Sequence, residues 1–197
     1  MLFFKNRRRA GLPALFLALA LGACAGESSM QTFELLSPQE FGEVRGRGGS
    51  IAIALPTAIR VIDSERVIIQ PTPGEVNYLS GARWSERVPR LVQTRIIEAF
   101  ENSKRVRIVT REGASLRTEF KLDTEIREFG VMVSPQQQAV VELSVKLVQG
   151  NGRVVATQVF TGRAEASSVD GPSATAAINA AFGNVLIDLV RWAAPRV

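Results

Sequence analysis

No histidine occurs anywhere in the 197 residues, and cysteine occurs once, at position 24. The first absence removes Ser-His-Asp and Cys-His nucleophilic systems, together with the commonest transition-metal ligand. The second leaves no disulfide framework, and an unpaired cysteine needs another use. An excess of charge is also missing from most of the chain. Of 24 basic residues, Lys5, Arg7, Arg8 and Arg9 lie near the N-terminus, leaving 20 against 19 acidic residues. The formal charge of +5 and the pI near 10.1 therefore reflect a local cluster, and nucleic-acid binding is disfavoured. Glycines 42, 46, 48 and 49 lack the spacing and the Lys-Ser/Thr pair of a phosphate loop. Glu119, Asp123, Glu125 and Glu128 fall on the polar side or the slip point of an alternating strand, where a solvated face is the simpler reading than a general acid and base. We expect no enzyme, no metal and no cofactor.

What is present begins at the N-terminus. A positive cluster at 5–9 is followed by the apolar run GLPALFLALAL at 11–21 and by the small residues Gly22 and Ala23. That is the layout of an export signal. The run falls well short of the ~20 apolar residues that a membrane-spanning helix needs, and it contains Pro13. The sequence Leu21-Gly22-Ala23-Cys24 resembles the bacterial lipobox. That resemblance implies cleavage before Cys24, a diacylglyceryl group on its sulfur and an acyl group on its new amino terminus. Two other readings stay open: a plain secretory signal cut near Cys24, or an uncleaved signal anchor. Several acyl chains, at about 0.8 kcal/mol per buried methylene, give durable attachment where one chain is reversible. Ala25 stands where an Asp would retain a lipoprotein at the inner membrane in the enterobacterial rule, which favours the outer membrane, periplasmic face. The chain thus divides into a signal at 1–23, a lipidated cysteine and polar tether at 24–31, and one domain at 32–197.

Within the domain, TFELL (32–36) reads as a first strand, and the glycine-rich segment 39–50 as a loop. Strand-like runs follow at IAIAL (51–55), RVIIQ (66–70) and VNYL (76–79). Val88, Leu91, Val92, Ile96, Ala99 and Phe100 share a stripe at helical spacing, in a helix opened by Ser85. RVRIVT (105–110) is a short strand. Phe120, Leu122, Thr124 and Ile126 then alternate with charged residues, and the phase slips at Phe129 as a bulge produces. Val141 to Leu147 alternate likewise, and Asn151-Gly152 turns the chain into VVATQVFTG, completing an antiparallel meander. A last helix begins near 170–173 and carries Ile178, Ala181, Phe182, Val185, Leu189 and Trp192 on one stripe. The expectation is an α+β domain: a single antiparallel or mixed sheet covered on one face by two amphipathic helices.

The binding signals are aromatic and basic. Tyr78 and Trp84 flank YLSGARW, where a glycine-allowed turn would present two rings, and Arg83, Arg87 and Arg90 lie beside them. These five residues are the candidate partner contact. Against it, a lone Trp before a helix also serves as a core cap, and Arg83, Arg87, Arg90 and Arg95 are interleaved with Glu86 and Glu98 as on a solvated helix face.

The lipobox, TFELLSP, IAIALPTAIRVIDSERVIIQ, VNYLSGARWSERVPRLVQTRIIEAF and the late strands with an Ala-rich terminal helix together resemble the ABC-type transport auxiliary lipoproteins, which include the paraquat-inducible protein C group. The resemblance implies a periplasm-facing lipoprotein. It would work with a permease, an ATPase and an MCE-domain protein to move lipids or other hydrophobic molecules between two membranes. Two roles follow: a docking or scaffold subunit, homo-oligomeric or not, or a lipid carrier with an apolar cavity lined by Phe120, Leu122 and Phe182.

Overall fold

The computed structural model describes Met1, residues 29–46 and residues 48–197. The signal, Cys24 and most of the tether lie outside the described residues. Nine strands and two α-helices follow in the order β1 (Gln31–Phe33), β2 (Ser50–Ile53), β3 (Thr57–Ala58), β4 (Arg66–Gln70), β5 (Asn77–Trp84), α1 (Val88–Ser103), β6 (Ile108–Arg111), β7 (Phe120–Met132), β8 (Gln138–Gln149), β9 (Val154–Glu165) and α2 (Gly171–Ala193), ending in a 3-10 turn at Ala194–Arg196.

The two-residue alternation makes β7 the spine. On one side it pairs antiparallel with β8, which pairs antiparallel with β9, giving the expected meander. On the other side three short strands share its length, all parallel to it: β2 at Phe120–Leu122, β3 at Glu125–Ile126 and β4 at Val131–Met132. β6 extends the sheet beyond β2, while β5 and then β1 extend it beyond β4. The slip expected at Phe129 is a register shift between Ile126 and Glu128, which returns Phe129 and Val131 to the buried face.

That face is covered by α1 and α2. Leu122 and Leu147, Ile126 and Leu143, and Phe129 and Val141 are cross-strand pairs, and all are buried. α2 lies so close to β9 that a Cβ on Gly162 would fall 2.1 Å from the Ala181 carbonyl oxygen. Its apolar residues from Ala174 to Ala193 face the sheet. Gly171–Arg196 is long and apolar enough to cross a membrane, with a mean hydropathy of 1.4, but it is the core helix of this domain, with much of its surface buried against the strands. The Asp170 carboxylate caps α2 by accepting from the Ser173 N–H at 2.9 Å. α1 opens at Val88 with Pro89 in its first turn and no side-chain cap, three residues later than Ser85.

Three local expectations change. β1 stops at Phe33, and Leu35, 0% exposed, packs from irregular backbone. The glycine-rich segment is partly interior, with Phe41 and Val44 in the core and the Phe41 carbonyl accepting from Arg191 Nε at 3.1 Å. The chain does not turn at Gly81: β5 runs through to Trp84, and the positive φ of 73° at Gly81 is taken up inside the irregular β4–β5 register.

Candidate partner-binding surfaces

Five residues were expected to form a contact around Tyr78, and the topology separates one of them from the rest. Trp84 is 1% exposed, and its ring meets Phe129 edge-on at 6.0 Å, which in turn meets Phe182 at 5.9 Å. It joins β5, β7 and α2 in the core, so the outward anchor expected at Trp84 is corrected to a packing residue. Position 84 falls on the inner face of a strand that the sequence reading ended at Leu79. Tyr78 is half-buried with the Arg66 guanidinium 4.3 Å from its ring centroid. Arg83 is 4.0 Å from Glu65 and donates to Thr32 Oγ1 at 3.1 Å, and Arg87 pairs with Asp63 at 2.5 Å. Exposed pairs of this kind contribute at most about 1 kcal/mol each. Arg90 is exposed and makes no ion pair among the described residues. The surface is a solvated edge whose charges are largely matched.

The space between sheet and helices is filled. Leu122 and Phe182 are 0% exposed, and Phe182 is locked by the Phe129 ring. Five surface hollows, of about 300 to 480 Å³, open to solvent; neither Leu122 nor Phe182 lines any of them, whereas Phe120 borders three. On the opposite face of the sheet, charge is paired laterally. Lys121 lies 3.0 Å from Asp123 and 3.3 Å from Glu112, and Arg127 lies 3.2 Å from Glu125 and 3.9 Å from Glu142. The hydrogen bond to Asp123, more than the partial burial that opposes it, raises the Lys121 pKa above the ordinary lysine value. Among the described residues no cluster of acidic, His or Cys side chains is arranged to hold a metal.

Three of the hollows meet at Phe120, at the end of the molecule where β7 begins. This end gathers chain segments far apart in sequence. The Arg107 N–H donates to the Gly49 carbonyl at 3.0 Å, the Gly150 N–H donates to the Glu119 carbonyl at 2.8 Å, and the C-terminal Val197 lies against Gly49. Arg105, Arg107, Arg117, Arg153 and Arg196 are exposed here, and none forms an ion pair among the described residues. Arg196 instead lies over the Trp192 ring at 5.1 Å. Leu116 and Val154, 60% and 51% exposed, stand among them. Sequence reasoning missed this group because its members come from three loops and the C-terminus, and only the sheet order brings them together.

A family model described as the ABC-type transport auxiliary lipoprotein component matches residues 33–190, nearly the whole domain. The chain belongs to this family. A solved relative of this transport auxiliary lipoprotein, a Xanthomonas campestris protein from a family of unknown function, is 30% identical, with a TM-score of 0.73 over 84% of this chain and 93% of the other. A second, uncharacterized structure shares the fold at 8% identity and a TM-score of 0.68 over 84% of this chain and 99% of the other. An uncharacterized protein of Bradyrhizobium diazoefficiens is 29% identical over 165 residues, which is 82% of this chain and 44% of that protein. The chain thus spans less than half the length of that curated relative.

Proposed function

We propose that this lipoprotein is a non-catalytic docking subunit of an ABC-type, MCE-associated system that moves lipids between membranes, held by acyl chains on Cys24 at the periplasmic face of the outer membrane. The observation that carries the docking role over the carrier role is the packed interior. A carrier for an acyl chain needs an apolar cavity of several hundred Å³ within the fold. Of the three positions that would line it, Leu122 and Phe182 are fully buried against neighbouring side chains, and Phe120, partly buried, borders only hollows that open to solvent. A subunit that keeps a packed core and an exposed apolar and basic rim is built to hold other proteins, not to enclose a lipid.

The test is to extract the lipidated protein from membranes in mild detergent and weigh it intact by native mass spectrometry. The docking role predicts the covalent acyl mass on Cys24, no stoichiometric free phospholipid, and co-purification with the permease or MCE-domain protein. One phospholipid retained per chain, with no partner, would replace docking by carriage. Cys24→Ser should abolish acyl labelling and release the protein from the membrane fraction. Unchanged labelling would show that the anchor lies elsewhere.

A further inference from the structure

The two ends of the sheet differ in charge, and the chain enters near one of them. Gln31 pairs with Ala82 in β5, and β5 starts beside Gln70 and Met132, so the tether arrives toward the end where β7 finishes. The loops at that end, 71–76, 133–137 and 166–170, contain Glu75 and Asp170 and no lysine or arginine; the exposed Arg163 lies two rungs inside it on β9, with Glu165 at the strand's last position. At the other end Arg105, Arg107, Arg117, Arg153 and Arg196 are gathered with Glu112, Glu119 and the Val197 carboxylate; Glu112 is held by Lys121, and neither of the other two pairs with these arginines among the described residues. The 13 residues of β7 separate the two ends by about 40 Å.

We propose that the basic end is where this subunit grips its partner, and that the partner contributes an acidic protein segment with apolar side chains that settle on Leu116 and Val154. This rests on the docking role proposed above. Charge complementarity selects the acid: five guanidinium groups without carboxylate partners are matched by several carboxylates placed together. The apolar pair asks for leucine-like side chains, since burying Leu116 and Val154 against charge alone would gain little. An anionic lipid surface offers similar chemistry. Yet the tether, at most ~25 Å long, joins the fold toward its opposite end, which puts the acidic loops, more than the arginines, within reach of the anchoring membrane.

The lipidated chain, held in phosphatidylcholine nanodiscs, is titrated with three probes. These are the MCE-domain protein, a 14-residue helical peptide of glutamates with leucines along one face, and vesicles containing 30% phosphatidylglycerol. Arg117→Glu with Arg153→Glu is compared with Arg83→Glu with Arg90→Glu, all at surface positions. The expected result is peptide and MCE-protein binding that weakens with salt, falls at least tenfold in the Arg117/Arg153 variant and is unchanged in the Arg83/Arg90 variant. MCE-protein binding that survives Arg117→Glu with Arg153→Glu overturns the assignment and leaves the docking role standing. Peptide binding lost in that variant, with no MCE-protein binding in any form, supports the surface and removes the named partner. Vesicle binding through the arginines without peptide binding also overturns the proposal.

Discussion

The indole Nε1 of Trp84 is buried with no acceptor among the described residues. Its ring meanwhile fills the junction of β5, β7 and α2. The two facts make opposite predictions for two substitutions. Trp84→Ala leaves a large void and should cost about 3 to 5 kcal/mol. Trp84→Phe removes the unpaired donor, whose burial costs about 1 to 3 kcal/mol, and keeps most of the packing, so stability should change by only about 1 kcal/mol. Thermal unfolding separates them, with Trp84→Ala lowering the melting temperature by roughly 10 °C at 2 to 4 °C per kcal/mol. Equal losses would mean that the indole has a partner after all. Asp170 carries the clearest acid dependence. Its carboxyl is held below the ordinary aspartate pKa, first by the Ser168 hydroxyl and then by the Ser173 N–H. A depressed folded pKa means that the contribution is present above the unfolded value of about 4 and is lost as pH falls below it. Asp170→Asn keeps a capping oxygen without titrating. Its unfolding midpoint in urea should therefore fall less between pH 5 and pH 3 than that of the wild type, and a parallel fall would remove Asp170 from the acid response.

At the scale of elements, the meander and both helices were legible because each carries its own period. The β7 alternation, its slip before Phe129 and the stripes of α1 and α2 are local patterns that burial then fills. The parallel attachment of β2, β3 and β4 along β7 was not legible. These strands are two to five residues long, and nothing within them states which part of β7 they adopt. The fate of Trp84 depended on that attachment, because pairing with β4 is what brings β5 alongside β7 and under α2. Gly162 is the reverse case, an unremarkable glycine in an edge strand until α2 is placed against it. A Cβ there would strike the Ala181 backbone, which no rotamer change relieves. Gly162→Ala should cost roughly 1 to 3 kcal/mol or more and loosen α2 from β9. Hydrogen exchange should show faster exchange in the α2 amides near Ala181 than in those of α1. Uniform acceleration across both helices would mean global destabilisation without local displacement.

At the scale of the whole molecule, the candidate site was legible only as chemistry. Arginines were visible in the sequence, but those with matched carboxylates, Arg83 and Arg87, and those without, Arg117 and Arg153, look alike until Glu65 and Asp63 are brought to the first pair. The fold then gives the domain a direction that composition, nearly neutral overall, conceals. The tether meets β1 toward the end bearing Glu75 and Asp170, and the unpaired arginines of the loops and C-terminal turn gather at the other end of β7, a strand about 40 Å long. With acyl chains on Cys24, a tether of at most ~25 Å keeps the first end within reach of headgroups. The expected outcome is therefore an asymmetry in lipid proximity. Val76→Cys and Leu116→Cys, both exposed positions, can each be labelled with a fluorophore on lipidated protein in vesicles carrying headgroup nitroxides. The Val76 label should be quenched and the Leu116 label should not, and raising the salt should leave the difference intact because the covalent anchor sets it. If the Leu116 label is quenched as strongly as the Val76 label, the domain lies flat on its membrane. The basic end would then face headgroups instead of the space a partner must cross.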